Sequence, residues 1–565
     1  MSDLYSTGLI VSRFALIVLS VWLLVRCLRS LLSERVEPEL WGWLRLDRQS
    51  LPVTHWENLI GRSRSADVCI RQKKIRRAHA VLKRSDSGVW KIYDVFGRGG
   101  VLVNGAAVSS SGSVLHSGDK LTLGQTALRF QVAAQEPRPE SEQARRLSPF
   151  GTLMLLSLFQ LFLLFQHSLS AHRSLTLIAL AFAMLFVLEW LCYSLMRLLG
   201  RSGFEIETLA FYLTTLGLSV AASSRPDELV KQMLLILASV LLFILVGLWL
   251  RTLRRTTAFR GVVAVAALGL LAVNVVFSEE VLGARNWLEF GGYSFQPSEI
   301  VKVLYLYTGA ATLDRLYRSR NLFSFMAFSA VCVIAMALIG DFGTALVFFV
   351  CFLVISFMRS GSIATVLLAL TGAGMAGVMA VSVRPHIAHR FASWGHVWED
   401  IYGAGYQQAR AMSAAAAGGL FGKGAGSGWL KNVVAGDTDM VFGVICEEQG
   451  LIVGICMVLA VLALAFFAVR AARFGRSSYY AIAACGATAM MMTQTALNVF
   501  GSMDLLPFTG VTFPFVSRGG SSLLSCWMLM AFLKGSDTRR SASFVVRLAG
   551  SSYEGAYAED EEDEA

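Results

Sequence analysis

Charge is scarce in this chain of 565 residues: 16% are Asp, Glu, Lys or Arg, against roughly 25% in soluble domains. Apolar residues make up 55% of it, and the mean hydropathy is +0.57. That balance excludes an ordinary cytosolic enzyme and a disordered scaffold. The nine cysteines lack metal-ligand spacing, and several (Cys192, Cys332, Cys351, Cys456, Cys485) sit inside apolar segments. They read as small buried hydrophobes, and neither a disulfide nor a cysteine metal site is inferred. A small-residue cleavage site is also missing after the first apolar run, Gly8 to Cys27, which carries Arg13 and Arg26. A retained helix is expected there rather than a removed signal peptide.

Apolar runs of 18 or more residues recur along most of the chain, the pattern of a polytopic α-helical membrane protein. Beyond the first run, helices are expected near 148–168, 174–199, 205–222, 230–250, 261–278, 298–315, 322–339, 341–358, 361–384, 440–469, 479–500 and 514–534, about 13 spans in all. The expected organisation is an N-terminal helix within 1–40, an all-β domain at 41–133, a linker at 134–147, two further helices at 148–204, a helical core at 205–535 and an acidic tail at 536–565. The longest polar interruption in the core is 385–438.

The net charge of +11 points to basic loops beside anionic lipid, and no nucleic-acid partner is expected. Arg197/Arg201, Arg251/Arg254/Arg255/Arg260, Arg315/Arg318/Arg320, Arg359 and Arg470/Arg473/Arg476 fall in alternate connections, whereas the intervening short ones hold Arg173, Arg225 and Arg285. The positive-inside rule then makes the β-domain and C-terminus cytoplasmic, and sets the N-terminus and the 385–438 loop outside.

Short alternating segments between turn residues at 41–133 predict a β-sandwich. Within it, Gly61-Arg62, Arg76-Arg77-Ala78-His79, Trp90, Asp94, Val103-Asn104-Gly105 and Gly118-Asp119 follow an order and spacing that resembles a forkhead-associated (FHA) domain. The resemblance implies phosphothreonine recognition, with Arg62 on the phosphate, His79 bracing the loop and Asn104 in the final turn. Arg76 stands where a serine is expected, and Arg98-Gly99 where Thr-Asn is expected. Arg62, Arg76, Arg77 and Arg98 can still offer charge-assisted contacts to a phosphate. Phosphothreonine binding and phosphate-independent docking are left as equal alternatives.

Four polar clusters interrupt the apolar array, and ionisable groups there are functional suspects. The first is Gly283-Ala284-Arg285-Asn286-Trp287 with Gln296-Pro297-Ser298-Glu299-Ile300-Val301-Lys302, where Glu299 and Lys302 lie at i,i+3 and read first as a structural ion pair. In the second, Gly340-Asp341-Phe342-Gly343-Thr344, Asp341 reads as a helix cap. The third combines His389-Arg390, Tyr406-Gln407, Gly418 to Gly424 with Lys423, Asp437-Thr438-Asp439 and Glu447-Glu448. Its Gly/Lys run lacks the GK[ST] ending of a P-loop, and Asp437 to Asp439 read locally as an N-cap. The fourth, Thr509 to Ser522 with Ser517-Arg518-Gly519-Gly520, is dense enough in Gly and Pro to predict a broken or re-entrant entry.

Taken together, FQPSEIVK, GDFGTA, GGLFGKG, TDMVFGVICEEQG and TGVTFPFVSRGGSS resemble the SEDS (shape, elongation, division and sporulation) family of RodA, FtsW and SpoVE over about 205–534. The resemblance implies a ten-helix core that polymerises lipid II into peptidoglycan at the outer face of the bacterial cytoplasmic membrane. Asp439 occupies the position of the family's outer-loop aspartate, implied to act as general base with an ordinary pKa near 3.9. Arg285, Lys302, Arg390 and Lys423 are candidate cations for the departing pyrophosphate. Trp287, Glu299, Asp341, Gln407, Glu448 and Ser517 are expected in lipid II binding or cavity architecture. Arg518 departs from the family's usual tyrosine and offers another cation. The resemblance further implies Mg²⁺ or Mn²⁺, without ligands, and a class B penicillin-binding protein as transpeptidase partner. A lipid II flippase and a non-catalytic membrane scaffold of the cell-wall machinery are the rival readings.

Overall fold

The computed structural model describes residues 2–33, 40–46, 49–63, 66–85, 88–95, 100–109, 111–133, 148–170, 174–201, 203–281, 284–290, 293–313, 319–360, 363–383, 385–473, 477–537 and 543. The expected linker 134–147, Arg98-Gly99, Gly283 and nearly all of the acidic tail lie outside the described residues.

A 32-residue helix, α1 (Ser2–Ser33), leads into the β-module. Its strands are β1 (Gly42–Leu46), β2 (Gln49–Val53), β3 (Glu57–Gly61), β4 (Val68–Cys69), β5 (Ala80–Arg84), β6 (Trp90–Asp94), β7 (Val101–Val103), β8 (Ala106–Ala107), β9 (Ser113–Leu115), β10 (Lys120–Leu123) and β11 (Thr126–Val132). They form two sheets, ordered β2-β1-β11-β10-β7-β8 and β4-β3-β5-β6-β9. Alternation drives the sandwich, since period-2 side chains present one apolar face. Leu44, Leu121, Leu123, Leu128 and Phe130 from one sheet meet Ile60, Leu82, Trp90 and Ile92 from the other, all buried. Trp90 packs its ring edge-on to Phe130 at 5.5 Å between centroids.

The helical body follows as α2 (Pro149–Leu169), α3 (Leu175–Leu198), α4 (Glu205–Ser224), α5 (Leu229–Trp249), α6 (Leu253–Ala258) and α7 (Arg260–Phe277). A three-stranded meander of β12 (Glu279–Val281), β13 (Ala284–Phe290) and β14 (Tyr293–Phe295) precedes α8 (Pro297–Leu313). Next come α9 (Ser319–Ile339), α10 (Phe342–Ser360), α11 (Ile363–Val383), α12 (Pro385–Ser393), α13 (Tyr406–Gly418), α14 (Val441–Gln449), α15 (Leu451–Arg473), α16 (Ser478–Ser502) and α17 (Gly520–Gly535). Among the described residues, eight helices are long and apolar enough to cross a membrane by length and composition. Helices α8, α16 and α17 fill expected places in the array, but they are short or carry Ser, Thr, Asn and Gln toward their neighbours. Outward faces are apolar, as at Val18, Leu161, Leu191 and Leu234. That inversion of the usual surface is what a lipid solvent demands.

Two sequence expectations are corrected here. The run 440–469 is not one helix: it is interrupted at Gly450, where the chain folds against Leu420 and Gly422. The stretch 514–519 is not helical, and α17 starts at Gly520, because Thr509 to Gly519 form the irregular entry that their Gly and Pro content predicts. The meander at 279–295 was not foreseen: β12 and β14 have three residues each, and β13 (ARNWLEF) does not alternate apolar with polar.

Side-chain bonds give the bundle two distinct ends. At one end Ser30 of α1 donates to Glu205 of α4 at 2.7 Å, Lys534 of α17 pairs with Glu207 at 2.7 Å, and the Tyr480 hydroxyl donates to the Leu250 carbonyl at 2.6 Å. The β-module attaches at this end, through the C-terminus of α1 and the N-terminus of α2. At the opposite end the C-terminal parts of α2, α4 and α16 bond the 419–449 segment, Arg518 ahead of α17 pairs with Glu228 ahead of α5, and Gly343 of α10 lies against Val511. The four polar clusters converge there.

Candidate functional site

The site is built where two irregular segments cross. One descends from α13 through 419–440 to α14; the other is the entry to α17. Asp439 lies half-buried at their crossing. Its carboxylate faces Gly510, where an added Cβ would stand 3.2 Å from an Asp439 oxygen. Asn498 of α16 holds the two segments together: its buried amide donates to the Asp439 carbonyl at 3.0 Å and to the Val511 carbonyl at 2.8 Å. The N-terminus of α10 closes a third side, because a Cβ on Gly343 would collide with Val511 Cγ2. Only glycine allows that approach. Ala435 and Phe515 hold positive φ, 61° and 65°, a cost that tightly determined functional segments tolerate.

Burial pushes the Asp439 carboxyl up from the ordinary range to about 7. Desolvation is the largest cause; Thr438 and the Arg390 charge pull it down, while Asp437 and Asp341 push it further up. The sequence had implied an ordinary pKa. The difference arises because Asp439 sits inside the crossing and not on an open loop. A carboxylate near 7 suits proton transfer at neutral pH, since a general base works best when its pKa lies close to ambient pH.

The N-cap reading of 437–439 is also corrected. Helix α14 has no side-chain cap, and Asp437 instead accepts from Arg518 Nε at 2.5 Å and Ser224 Oγ at 3.2 Å. Arg518 also donates to Glu228 at 2.9 Å. Two carboxylates therefore occupy this guanidinium, which crosslinks α5, α17 and the Asp439 segment instead of standing as a spare cation. By contrast, Asp341 caps α10 as expected, accepting from Thr344 N–H at 2.9 Å. Gln296 reaches its other oxygen at 3.4 Å.

Two further ion pairs lie nearby. Glu299 and Lys302 form the expected ion pair at 2.7 Å, both buried, and Ser525 donates to Glu299 at 2.6 Å. Lys423 donates to Glu447 at 2.8 Å, and the other Glu447 oxygen accepts the N–H groups of Trp429 and Leu430 at 3.0 Å each. Glu448 accepts from Ser223 at 2.8 Å. The Gly/Lys run thus spends its donors on the protein's own acceptors: Lys423 N–H and Gly424 N–H go to the carbonyls of Glu447 and Glu448 at 2.9 and 2.8 Å. It is a clasp around the end of α14. Lys302 and Lys423, expected as pyrophosphate cations, are each committed to a buried glutamate.

Arg390 of α12 is exposed beside the crossing and donates to the Thr509 carbonyl at 3.4 Å. Gln407 donates to the Val434 carbonyl at 3.3 Å. Ser517 accepts from Phe513 N–H at 2.8 Å and donates to the Thr438 carbonyl, so it fixes the turn beside Asp439. Trp287 is exposed on β13, and the Arg285 side chain lies outside what the structure describes. Among the described residues no three His, Cys, Asp or Glu side chains gather as a metal cage. Asn498, Ser223, Ser224 and Glu228 were missed in the sequence; isolated polar residues in apolar or turn contexts carry no spacing signal.

In the β-module, Arg62, Arg76 and Arg77 are exposed together with the loops at one end. His79 accepts from Arg76 N–H at 3.2 Å and contacts the Gly100 carbonyl at 2.9 Å. It is the brace expected of it. Asn104, at φ 49°, donates to Asp119 and accepts from Lys120 N–H, both at 2.9 Å.

Fold and site together define a polytopic membrane protein with a desolvated carboxylate at one bundle end and a β-sandwich at the other. The family model for the FtsW/RodA/SpoVE cell cycle proteins matches residues 208–541, and that for the FHA domain matches 58–124. The chain belongs to the FtsW/RodA/SpoVE family. It is 30% identical to the peptidoglycan glycosyltransferase RodA of Mycobacterium tuberculosis, over 54% of this chain and 69% of that one. It is 31% identical to the probable peptidoglycan glycosyltransferase FtsW of Tolumonas auensis, over 59% and 91%. A chain of a solved peptidoglycan synthase complex shares the fold at TM-score 0.50 and 24% identity, covering 59% of this chain and 96% of that one.

Proposed function

We propose that this protein is a peptidoglycan glycosyltransferase that polymerises lipid II, with Asp439 as general base. The carrying observation is the Asp439 carboxyl, desolvated to a pKa of about 7 at the end of the bundle remote from the FHA module. In the reaction the 4-hydroxyl of the acceptor's N-acetylglucosamine attacks C1 of the donor's N-acetylmuramic acid. Asp439 takes the hydroxyl proton, the C1–O bond to pyrophosphate breaks, and undecaprenyl pyrophosphate leaves with inversion at C1. Arg390, exposed beside Thr509, faces the charge that develops on the leaving group. The exposed Trp287 and the half-buried Gln407 offer contacts to the sugar-peptide head.

Sidedness follows from charge. Arg251, Arg254, Arg255, Arg470 and Arg473 lie at the FHA end of the bundle, which the positive-inside rule makes cytoplasmic. The site end then faces outward, where the lipid II head lies. The 385–438 segment and the N-terminus share that side.

A divalent cation belongs to the proposal as a companion of the substrate. Among the described residues no donor set gathers for a resident ion, and Mg²⁺ commonly keeps its waters and binds substrate phosphates with one or two carboxylates. No step is assigned to it. The FHA module is proposed to dock a partner protein through Arg62, Arg76 and Arg77, with phosphothreonine as the anionic group they suit. A class B penicillin-binding protein is proposed as the crosslinking partner, in keeping with the synthase complex whose chain shares this fold. Reconstitution with lipid II tests the reading: glycan chains should form, and should vanish in Asp439→Asn. The buried acids at 299, 447 and 448 are held by protein partners, which favours architecture over a transport path.

A further inference from the structure

The clasp around α14 is itself held from outside, by two helices that lie beyond the family match. Arg13 of α1 donates to the Lys423 carbonyl. Gln166 of α2, 1% exposed, accepts from Ala425 N–H at 3.0 Å and donates to Ser12 of α1 at 3.2 Å. Ser170 donates to the Ala425 carbonyl, and Phe14 packs on Phe421 with centroids 4.9 Å apart. A buried glutamine with its oxygen on the loop and its nitrogen on α1 has one satisfied orientation, because reversing the amide would set donor against donor.

From that grip a continuous chain of bonds runs to the catalytic carboxylate. Lys423, Trp429 and Leu430 are pinned to Glu447. The turn that follows closes with Val433 N–H on the Leu430 carbonyl at 3.0 Å and Gly436 N–H on the Val433 carbonyl at 2.9 Å. Asp439 N–H then bonds the Ala435 carbonyl at 2.9 Å.

We propose that Gln166 and Arg13 are positioning residues for the Asp439 reaction. Helices α1 and α2 hold the 423–430 loop in register with Glu447, and Asp439 takes its position from that register. The inference rests on the glycosyltransferase reading. The other ends of the same two helices lead into the FHA module, so the module is tethered to the elements that grip the loop.

The test uses the full-length protein in lipid nanodiscs, with hydrogen exchange over 419–431 and lipid II polymerisation measured against lipid II concentration. Losing one such bond should speed local exchange about 3- to 10-fold in Gln166→Leu. Turnover should fall about 10-fold with KM within about 2-fold, as expected when a reacting group is displaced but binding persists. Gln166→Glu keeps an acceptor for Ala425 N–H but gives up the donor to Ser12, so it should restore both readouts in part. Arg13→Gln should shift them in the same direction, which guards against a variant that merely folds poorly. Unchanged exchange in both variants, or a loosened loop with unchanged turnover, overturns the proposal. Loosening as expected in a protein whose wild type forms no glycan supports the grip and sinks the glycosyltransferase reading instead.

Discussion

The Asn498 side chain holds the backbone of Asp439, its amide shared at 3.0 Å with the Asp439 carbonyl and at 2.8 Å with that of Val511. One amide group therefore sets the spacing between the segment that carries Asp439, the proposed base, and the segment that faces it. Asn498→Asp retains the size and removes both donors. Turnover should drop about 10- to 100-fold, since displacements near 1 Å cost that much at a reacting centre. A thermal melt alongside the assay should fall only modestly. Wild-type turnover in Asn498→Asp would remove Asn498 from the account.

The raised Asp439 pKa has a definite sign. As a base it must be ionised, so turnover should climb with pH through about 7 and then level off. Stability runs the other way. The folded carboxyl keeps a proton that the unfolded chain loses near pH 3.9, so its contribution is complete below that value and is lost as pH rises through about 7. Asp439→Asn should therefore melt higher than wild type at pH 8 while differing little at low pH. A pH–turnover profile with its ionisation near 4 contradicts the desolvated site.

Lys302 and Glu299 neutralise each other in a dry interior. Lys302→Met alone strands a buried carboxylate and should cost about 3–5 kcal/mol. The double variant Glu299→Gln/Lys302→Met should recover most of that loss in a denaturation experiment. Equal destabilisation by the single and double variants would mean that the two charges act independently.

The FHA module gives a binding prediction. Full-length protein should bind a phosphothreonine peptide in preference to its unphosphorylated form, and Arg62→Ala should cost at least 10-fold in affinity by fluorescence anisotropy, as removal of a charge-assisted contact does. Equal binding of the two peptides leaves protein docking as the role of the module.

Much of this architecture was legible because it is written in periodicity. Apolar runs announced the helices, alternation announced the sandwich, and the i,i+3 spacing of Glu299 and Lys302 announced their pair. Asp341 as a cap followed from its place before an apolar run. Tertiary assembly hid the rest. Local rules made Asp437 a cap, yet Arg518, 81 residues away, claims it. Lys423 of the Gly/Lys run was a candidate cation for pyrophosphate, yet its ammonium is turned onto Glu447 of α14. The Asp439 pKa depends on which segments cover it, and the covering residues 509–511 are distant in the chain.

The central claim is that Asp439 abstracts the proton of the attacking sugar hydroxyl. Its most direct test is polymerisation of lipid II by purified protein in nanodiscs, comparing wild type with Asp439→Asn at pH 8. The account predicts glycan strands from the wild type and at least a 100-fold loss in the variant, in the range expected for removing a general base, while lipid II binding is retained. Polymerisation at wild-type rate by Asp439→Asn contradicts it.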